Sequence, residues 1–334
     1  GDIYDRSVPS AEAISLFDDF LIKVTSQLKT KIFAVSGNHD SAKRIGFANK
    51  LFRHSGLFIE SIYNKKIQKF QCEDQFGVVN FYLLPYISTA EVKSMFEDDN
   101  FEIKTANDAL KKIISNENID YSQRNILITH GFFGFSSETD QKIENDCLLS
   151  DSETRVGTID ICDGKILEHF DYVALGHIHS PQKVGKEYIR YSGSLLKYSI
   201  SEYNQKKNVC QIEIFEKGNI KISQNKIDTL RDLRILRGEF SSFFNVTNHE
   251  YKDDYLFFEL TDKNVIIDPM NKLRSLYNNV LGLKFIKKEI EFVNKLSTDV
   301  IKSKSDNEHF EDFYLAVTGD KINETQKQVI VDIL

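Results

Sequence analysis

Three short apolar runs constrain this chain more than any other feature, because each ends directly in a polar loop rich in potential ligands. Ile32-Phe33-Ala34-Val35 leads into Gly37-Asn38-His39-Asp40, and Ile126-Leu127-Ile128 leads into His130-Gly131. Tyr172-Val173-Ala174-Leu175 leads into Gly176-His177-Ile178-His179. Short uninterrupted apolar runs suit strands covered on both faces. Residues just past such strands gather at the carboxyl edge of a sheet, where open α/β folds place their sites. A further segment, Gly1-Asp2, carries a carboxylate at the very start of the sequence.

The rest of the pattern predicts layers. Ile14, Phe17, Leu21, Val24 and Leu28 recur at helical spacing, which predicts an amphipathic helix over 11–28 started by Pro9-Ser10. A strand is expected over 31–35, then a loop over 36–41 and a second helix running through Asn49. Residues 66–84 read as a hairpin turning at 74–77, 104–118 as a helix and 125–129 as a strand. Strands over 208–215 and 219–223, around a turn at 216–218, are expected to complete the sheet of a first domain. Helices alternating with buried strands indicate an α/β layered sandwich of mixed sheets flanked by helices.

Beyond about residue 229 the texture changes. A strand over 255–261, a helix over 268–277 and a strand over 281–286 predict a small α/β cap domain. Asp268 is the expected N-cap of that helix, with Pro269 at its first position. Residues 289–308 are charged and serine-rich, which reads as a helix fading into a linker. The tail carries Phe310, Phe313, Leu315, Val317, Ile322, Val329, Ile330 and Ile333. A segment that apolar is expected to be a helical tail docking on another surface.

Bulk properties exclude some classes. With 334 residues, 41% apolar and 28% charged, the chain has the composition of a globular protein of one or two domains. No apolar stretch reaches membrane-spanning length, so the expectation is a cytoplasmic protein with no membrane partner. Cys72, Cys147, Cys162 and Cys210 form no CxxC pair, which argues against disulfide scaffolds and zinc ribbons. A net charge of −7 disfavours coating nucleic acid by bulk attraction. Local phosphate contact stays open, since bound divalent cations would add positive charge inside a cleft. Six lysines against three acidic residues over 281–304 read as a solvated face.

A carboxylate, an amide oxygen and imidazoles make a mixed donor set that suits Mn²⁺, Fe²⁺ or Zn²⁺ better than Ca²⁺ or Mg²⁺. Asp2 has two oxygens and can bridge two ions, while Asn38, His130 and His177 can serve one ion together. In an extended segment, His177 and His179 share a side and reach two ions about 3.5–4 Å apart. Such a pair polarises a phosphate and activates a water as nucleophile. Taken singly, His130-Gly131 is more often an ordinary loop histidine and Asp2 has no weight. Gly-Asn-His-Asp behind a buried strand is strong, and the ordered set is stronger still. His54, His169, His249 and His309 fall outside these contexts and are expected at the surface or in the core.

Gly1-Asp2-Ile3-Tyr4-Asp5-Arg6, Gly37-Asn38-His39-Asp40-Ser41, His130-Gly131 and Gly176-His177-Ile178-His179 together resemble the calcineurin-like metallophosphoesterase pattern. Residues 191–199 (YSGSLLKYS), 230–234 (LRDLR) and 270–274 (MNKLR), with the tail 310–314 (FEDFY), narrow the resemblance to the SbcD-type DNA exonuclease subunits. The resemblance implies a manganese-dependent nuclease with two divalent ions, degrading double-stranded DNA ends and cutting hairpins. It implies an SbcC ATPase partner and a homodimer within a heterotetramer. Asp2 would bridge the ions, with Asn38, His130 and His177 holding one and His179 helping to hold the other. His39 would act as general acid or stabilise the leaving oxygen, and Asp5, a His in some relatives, would have an orienting role. The implied division is a nuclease domain over 1–228, a DNA-binding cap over 229–297, and a linker with an SbcC-docking segment over 298–334. The family's first strand, ending in Asp-x-His, has no counterpart ahead of Asp2, so the chain is expected to be N-terminally truncated and to hold one ion poorly.

Two other readings compete. A different phosphoesterase, such as a protein phosphatase or cyclic-nucleotide phosphodiesterase, would share the metal core but needs no cap or apolar tail. A non-catalytic binding subunit would use the cap and tail alone.

Overall fold

Ser10 starts the first helix by accepting a hydrogen bond from the Ala13 amide, 3.2 Å away, at the head of α1 (Ala11–Ile22). The α-geometry stops short of residue 28, giving way to wider π turns over Lys23–Gln27. There the Thr25 hydroxyl donates back to the Leu21 carbonyl, a bond that disturbs the regular ladder. The computed structural model describes residues 1–97, 101–136, 143, 144, 149, 161–244, 251–286, 307, 308, 310, 311, 314, 315 and 321–331.

Strand β1 (Ile32–Val35) follows, as its apolar run predicts. The single helix expected behind its loop is two short turns, α2 (Ala42–Ile45) and α3 (Asn49–Phe52). Ala48 between them takes a left-handed φ of 56°, which a continuous helix forbids. Strand β2 (Leu57–Glu60) pairs in parallel with β1. The predicted hairpin is β3 (Gln68–Asp74) and β4 (Gly77–Leu84), antiparallel, with Gly77 at φ 96° in its turn. Helices α4 (Thr89–Met95) and α5 (Ala106–Ser115) each open with a capping box, Ser88 with Glu91 and Thr105 with Asp108.

Next come β5 (Arg124–His130), the small sheet of β6 (Phe133–Ser136), β7 (Ile143–Glu144) and β8 (Cys162–Asp163), and then β9 (Tyr172–Gly176). With β10 (Gln182–Val184) and β11 (Lys186–Tyr191) they lead to a six-stranded sheet in the order β10-β11-β9-β5-β4-β3. β5 lies inside it, parallel to both β4 and β9. Its burial on both faces explains the uninterrupted apolar run. On one face Leu127, Val173 and Ile189 pack with Val92, Ile113 and Leu167.

The opposite face corrects an expectation. β12 (Asn208–Ile214) and β13 (Ile220–Lys226) do not extend the six-stranded sheet; they pair with each other as a separate antiparallel ribbon. Ile212, Ile214, Ile220 and Ile222 alternate along the ribbon and cover Val79, Ile126 and Tyr172 of the sheet. A period-two apolar pattern fits a ribbon with one dry face, which makes it a layer of the sandwich. Buried Arg124 fastens that layer: it pairs with Asp74 at 2.6 Å and donates to the Phe215 carbonyl at 2.9 Å and to the Gly77 carbonyl. Asp171 does the same, accepting from the Asn125 amide (2.7 Å), the Gly218 amide (2.9 Å) and Lys217 Nζ (2.7 Å).

Two compact units divide the chain at Gly1–Arg234 and Ile235–Leu334. β14 (Leu233–Gly238) starts at that boundary and is followed by β15 (Tyr255–Leu260), α6 (Pro269–Arg274) and β16 (Asn279–Phe285). β15 and β16 run parallel, so α6 is the crossover that a parallel pair requires. Leu256, Phe258, Leu260, Leu273 and Tyr277 form the core of this unit. Asp268 does not cap α6 as expected. Its φ of 50° is left-handed and its carboxylate accepts from Asn271 Nδ2 (2.9 and 3.1 Å), leaving the helix amides without it. The charged stretch predicted over 289–308 lies almost wholly outside the described residues, as do Phe313, Val317 and Ile333. α7 (Glu324–Val331) is helical as expected, and Gln326 Nε2 donates to Tyr314 at 2.8 Å. Among the described residues, no helix is long and apolar enough to cross a membrane.

Candidate metal centre

The ends of β1, β5 and β9 meet although β1 belongs to a different sheet. Ser36, just past β1, donates its amide to the Glu60 carbonyl (3.1 Å) and accepts from the Tyr86 amide (3.0 Å) beyond β4. That pairing brings the 36–41 loop to the carboxyl edge of the six-stranded sheet. Across β5 and β9, His130 pairs in register with Gly176, one residue before His177.

Four of the expected ligands converge there. His130 Nε2 lies 3.0 Å from Asn38 Oδ1 and 3.1 Å from Asp2 Oδ2. His177 Nδ1 lies 3.0 Å from the same Asn38 oxygen. Donor atoms of Asp2, His130 and His177 all fall within 4.8 Å of one another. Donors around one octahedral ion with bonds of about 2.1 Å stand about 3 Å apart, so this spacing fits a divalent cation. The hydrogen-bonding pattern agrees, because Nε2 of His130 carries at most one proton and yet faces two oxygens. The His130 side chain is wholly buried, and among the described residues its Nδ1 has no hydrogen-bond partner, so its polar contacts there run through Nε2.

Electrostatics prepares the donors. Burial lowers the pKa of His130, and lowers that of His177 to about 4, so both rings are neutral at neutral pH. Burial alone would raise the Asp2 carboxyl. Hydrogen bonds from His130 and the His39 amide outweigh it and bring Asp2 down to about 2. An anionic carboxylate beside neutral imidazoles is the protonation state a metal takes.

Glycine is required where the loops touch. A Cβ on Gly37 would strike the Asp2 carboxylate, and one on Gly176 would stand 2.8 Å from His130 Nδ1. Asp40 pins the loops together: it accepts from the Gly37 amide (2.9 Å), the Ile3 amide (3.0 Å) and the Tyr4 amide (3.0 Å). Sequence reasoning gave Asp40 no role, although an Asp in a glycine turn is a known backbone acceptor.

The remaining expected residues lie at the rim of this cluster. The His39 amide donates to Asp2 Oδ1 (2.9 Å), and its ring Nδ1 donates to the Asp5 carbonyl (2.8 Å). The contact from Asp5 is therefore through its backbone, while its exposed carboxylate pairs with Arg6 at 3.2 Å. His177 has a φ of 119°, so residues 177–179 are not the continuous extended segment predicted. Both rings nonetheless line one cleft of about 1220 Å³, together with Asp2, Tyr4, Leu195 and Tyr198. His179 stands outside the Asp2–His130–His177 group and places Nδ1 2.9 Å from Glu202 Oε1. Glu202 and its partner Lys207, 2.7 Å away, have no motif in the sequence to mark them. His54 and His169 are exposed, and His249 and His309 lie outside the described residues.

A metal-fitting cluster at the carboxyl edge of a layered sheet, opening into a broad cleft, is the arrangement expected of a metal-dependent hydrolase. Residues 1–181 match the calcineurin-like phosphoesterase family, and residues 229–318 match the type 5 capsule protein repressor C-terminal domain, also called SbcD_C. Over 337 aligned positions the chain is 30% identical to the SbcD subunit of the nuclease SbcCD from Staphylococcus epidermidis, covering all of this chain and 86% of that protein. The chain belongs to the calcineurin-like phosphoesterase family, and within it to the SbcD-type nuclease subunits. It is a metal-dependent phosphodiester hydrolase of the nuclease class.

Proposed function

We propose that this chain cleaves double-stranded DNA ends and hairpins as the nuclease subunit of an SbcCD-type complex, with an SbcC-type ATPase as partner. The observation that carries the reading is the convergence of Asp2, Asn38, His130 and His177 on one point in an open cleft. The mixed oxygen and nitrogen donors suit Mn²⁺, Fe²⁺ or Zn²⁺, and the resemblance to the SbcD-type subunits is the ground for proposing manganese among them. Two ions are proposed, one held by Asp2, Asn38, His130 and His177 and the other by Asp2 and His179.

When bound, the metal supplies a Lewis acid for the phosphoryl oxygens. The chain's own residues do the rest. Neutral His130 and His177 present lone pairs, and Asp2 supplies negative charge. With Nδ1 committed to the Asp5 carbonyl, the His39 ring exchanges protons through Nε2. As a water oxygen bonds to phosphorus and its proton passes to solvent, the P–O bond to the leaving strand breaks, and His39 would give a proton from Nε2 to the leaving oxygen. Asp5 orients that ring through its carbonyl.

The proposed division is a nuclease domain over 1–228, a DNA-binding cap over 229–297, and a linker with an SbcC-docking segment over 298–334. The family match over 229–318 and the compact unit beginning at Ile235 support it. Assembly as a homodimer within a heterotetramer is part of the same reading, and the exposed apolar side chains of Phe47, between α2 and α3, and Leu51 on α3 are in keeping with it. A cytoplasmic location is proposed as part of the same reading.

The test is a Mn²⁺-dependent assay of a linear duplex beside a chromogenic phosphodiester. Cleavage of both, with the duplex preferred, is expected. An intact duplex alongside a hydrolysed diester would move the reading to a small-molecule phosphoesterase.

A further inference from the structure

Glu202 ends the short 3₁₀ turn Ile200–Glu202 and is fully buried. Beside it Lys207 is 5% exposed, and the two side chains meet at 2.7 Å. Burying such a pair is expensive, and an apolar pair of similar volume often stabilises a fold equally well. Stability alone is therefore a poor account of it, and the remaining bonds point elsewhere.

Those bonds converge on His179. Glu202 Oε1 lies 2.9 Å from His179 Nδ1, and Lys207 Nζ donates to the His179 carbonyl at 2.8 Å. Lys207 also donates to Ser194 Oγ (2.8 Å) and Gln205 Oε1 (2.6 Å), and the Ser194 amide donates to the same His179 carbonyl (3.0 Å). One buried ion pair thus grips both the ring and the backbone of a single cleft-lining histidine. The Tyr198 ring stands edge-on to that imidazole at 6.1 Å.

We propose that Glu202, held in place by Lys207, is a positioning residue that fixes His179 as the Nδ1–H tautomer and keeps Nε2 available as a donor to a divalent metal. An ionised carboxylate only accepts hydrogen bonds, so the shared proton belongs to Nδ1 and the lone pair of the neutral ring to Nε2. A carboxylate behind a ligating imidazole sets its tautomer and rotation and raises its basicity, typically by an amount worth about 10–100-fold in metal affinity. The inference rests on the reading of His179 as a metal ligand.

Two double variants of the full chain separate positioning from packing. Glu202→Leu with Lys207→Met removes the acceptor and leaves an apolar pair. Glu202→Gln with Lys207→Met keeps an acceptor without the charge. The first readout is the ¹⁵N chemical shifts of His179 in the metal-free protein. The second is free Mn²⁺ followed by electron paramagnetic resonance, with kcat read at saturating and limiting Mn²⁺. Parent and Gln/Met proteins are expected to hold the Nδ1–H tautomer. The Leu/Met protein should lose it and bind Mn²⁺ about 10–100-fold more weakly, with kcat recovering at saturating metal. A folded Leu/Met protein with the parental tautomer and parental Mn²⁺ affinity overturns the proposal. If the parent bound no Mn²⁺ at all, the reading of the metal centre would fall, while the tautomer would still decide the role of Glu202.

Discussion

Asn38 Oδ1 stands 3.0 Å from His130 Nε2 across 92 residues of chain, and 3.0 Å from His177 Nδ1 across 139. His130 Nε2 also faces Asp2 Oδ2 at 3.1 Å, and its single proton cannot serve both oxygens, whereas a metal among these donors would engage all of them. Asn38→Leu should therefore lose Mn²⁺ binding and cut duplex cleavage by about 100-fold or more, with the circular dichroism spectrum unchanged. His130→Ala should behave alike. Parental Mn²⁺ affinity in a folded Asn38→Leu protein would sink the ligand assignment.

His39 makes a different prediction because its ring lies outside the metal-fitting group. Loss of a general acid typically costs about 10²–10⁴-fold. His39→Ala should lower kcat by that range while Mn²⁺ affinity stays close to parental. A substrate with a good leaving group, such as a nitrophenyl diester, needs less protonation and should lose far less. An equal loss on both substrates would count against proton donation.

Arg124 supplies a test of the fold, since it closes the β3–β4 turn against the ribbon of β12 and β13. Arg124→Met strips the donors from two carbonyls and should cost about 2–3 kcal/mol, read by urea unfolding. The Arg124 hydrogen bond is also the main reason the Asp74 carboxyl sits below its usual range. A folded-state pKa below the unfolded value of about 4 adds stability above that value and loses it as pH falls through the folded pKa. Asp74→Asn should accordingly lower the melting temperature at neutral pH, with a deficit that shrinks as the pH falls below about 4. A constant deficit across that range would mean the charge is irrelevant.

In the second unit, Leu273 is fully buried among Leu256, Phe258 and Leu260. Leu273→Ala should destabilise by about 2–5 kcal/mol through the cavity it leaves. The metal-fitting cluster lies in the first unit, so hydrolysis of a small diester at room temperature should persist. Loss of that hydrolysis in a protein still folded by circular dichroism would argue that the second unit contributes to the chemistry.

The donors of this centre were legible because each sits immediately after a strand whose apolar run has no polar interruption. His130 and His177 could be placed at one sheet edge from that pattern alone. Contacts made at long range by ordinary polar residues were not legible. Nothing about Lys207 distinguishes it from its neighbour Lys206, yet one is buried against Glu202 and the other is not. The ribbon of β12 and β13 was visible as strands, but its alternating isoleucines fit an edge strand as well as a covering layer. Asp268 before Pro269 has the right residues for a cap, and only its left-handed φ takes it out of that role.

Pairing of His130 with Gly176 in the parallel ladder of β5 and β9 carries a last consequence. A slip of one position would turn the imidazole to the opposite face of the sheet, because side chains alternate. A metal centre built on that pairing would therefore act as a proofreader of strand register, since a slipped sheet would no longer bring His130 to the other donors. A divalent ion bound there would favour that threading over its near neighbours, and more strongly as the metal concentration rises.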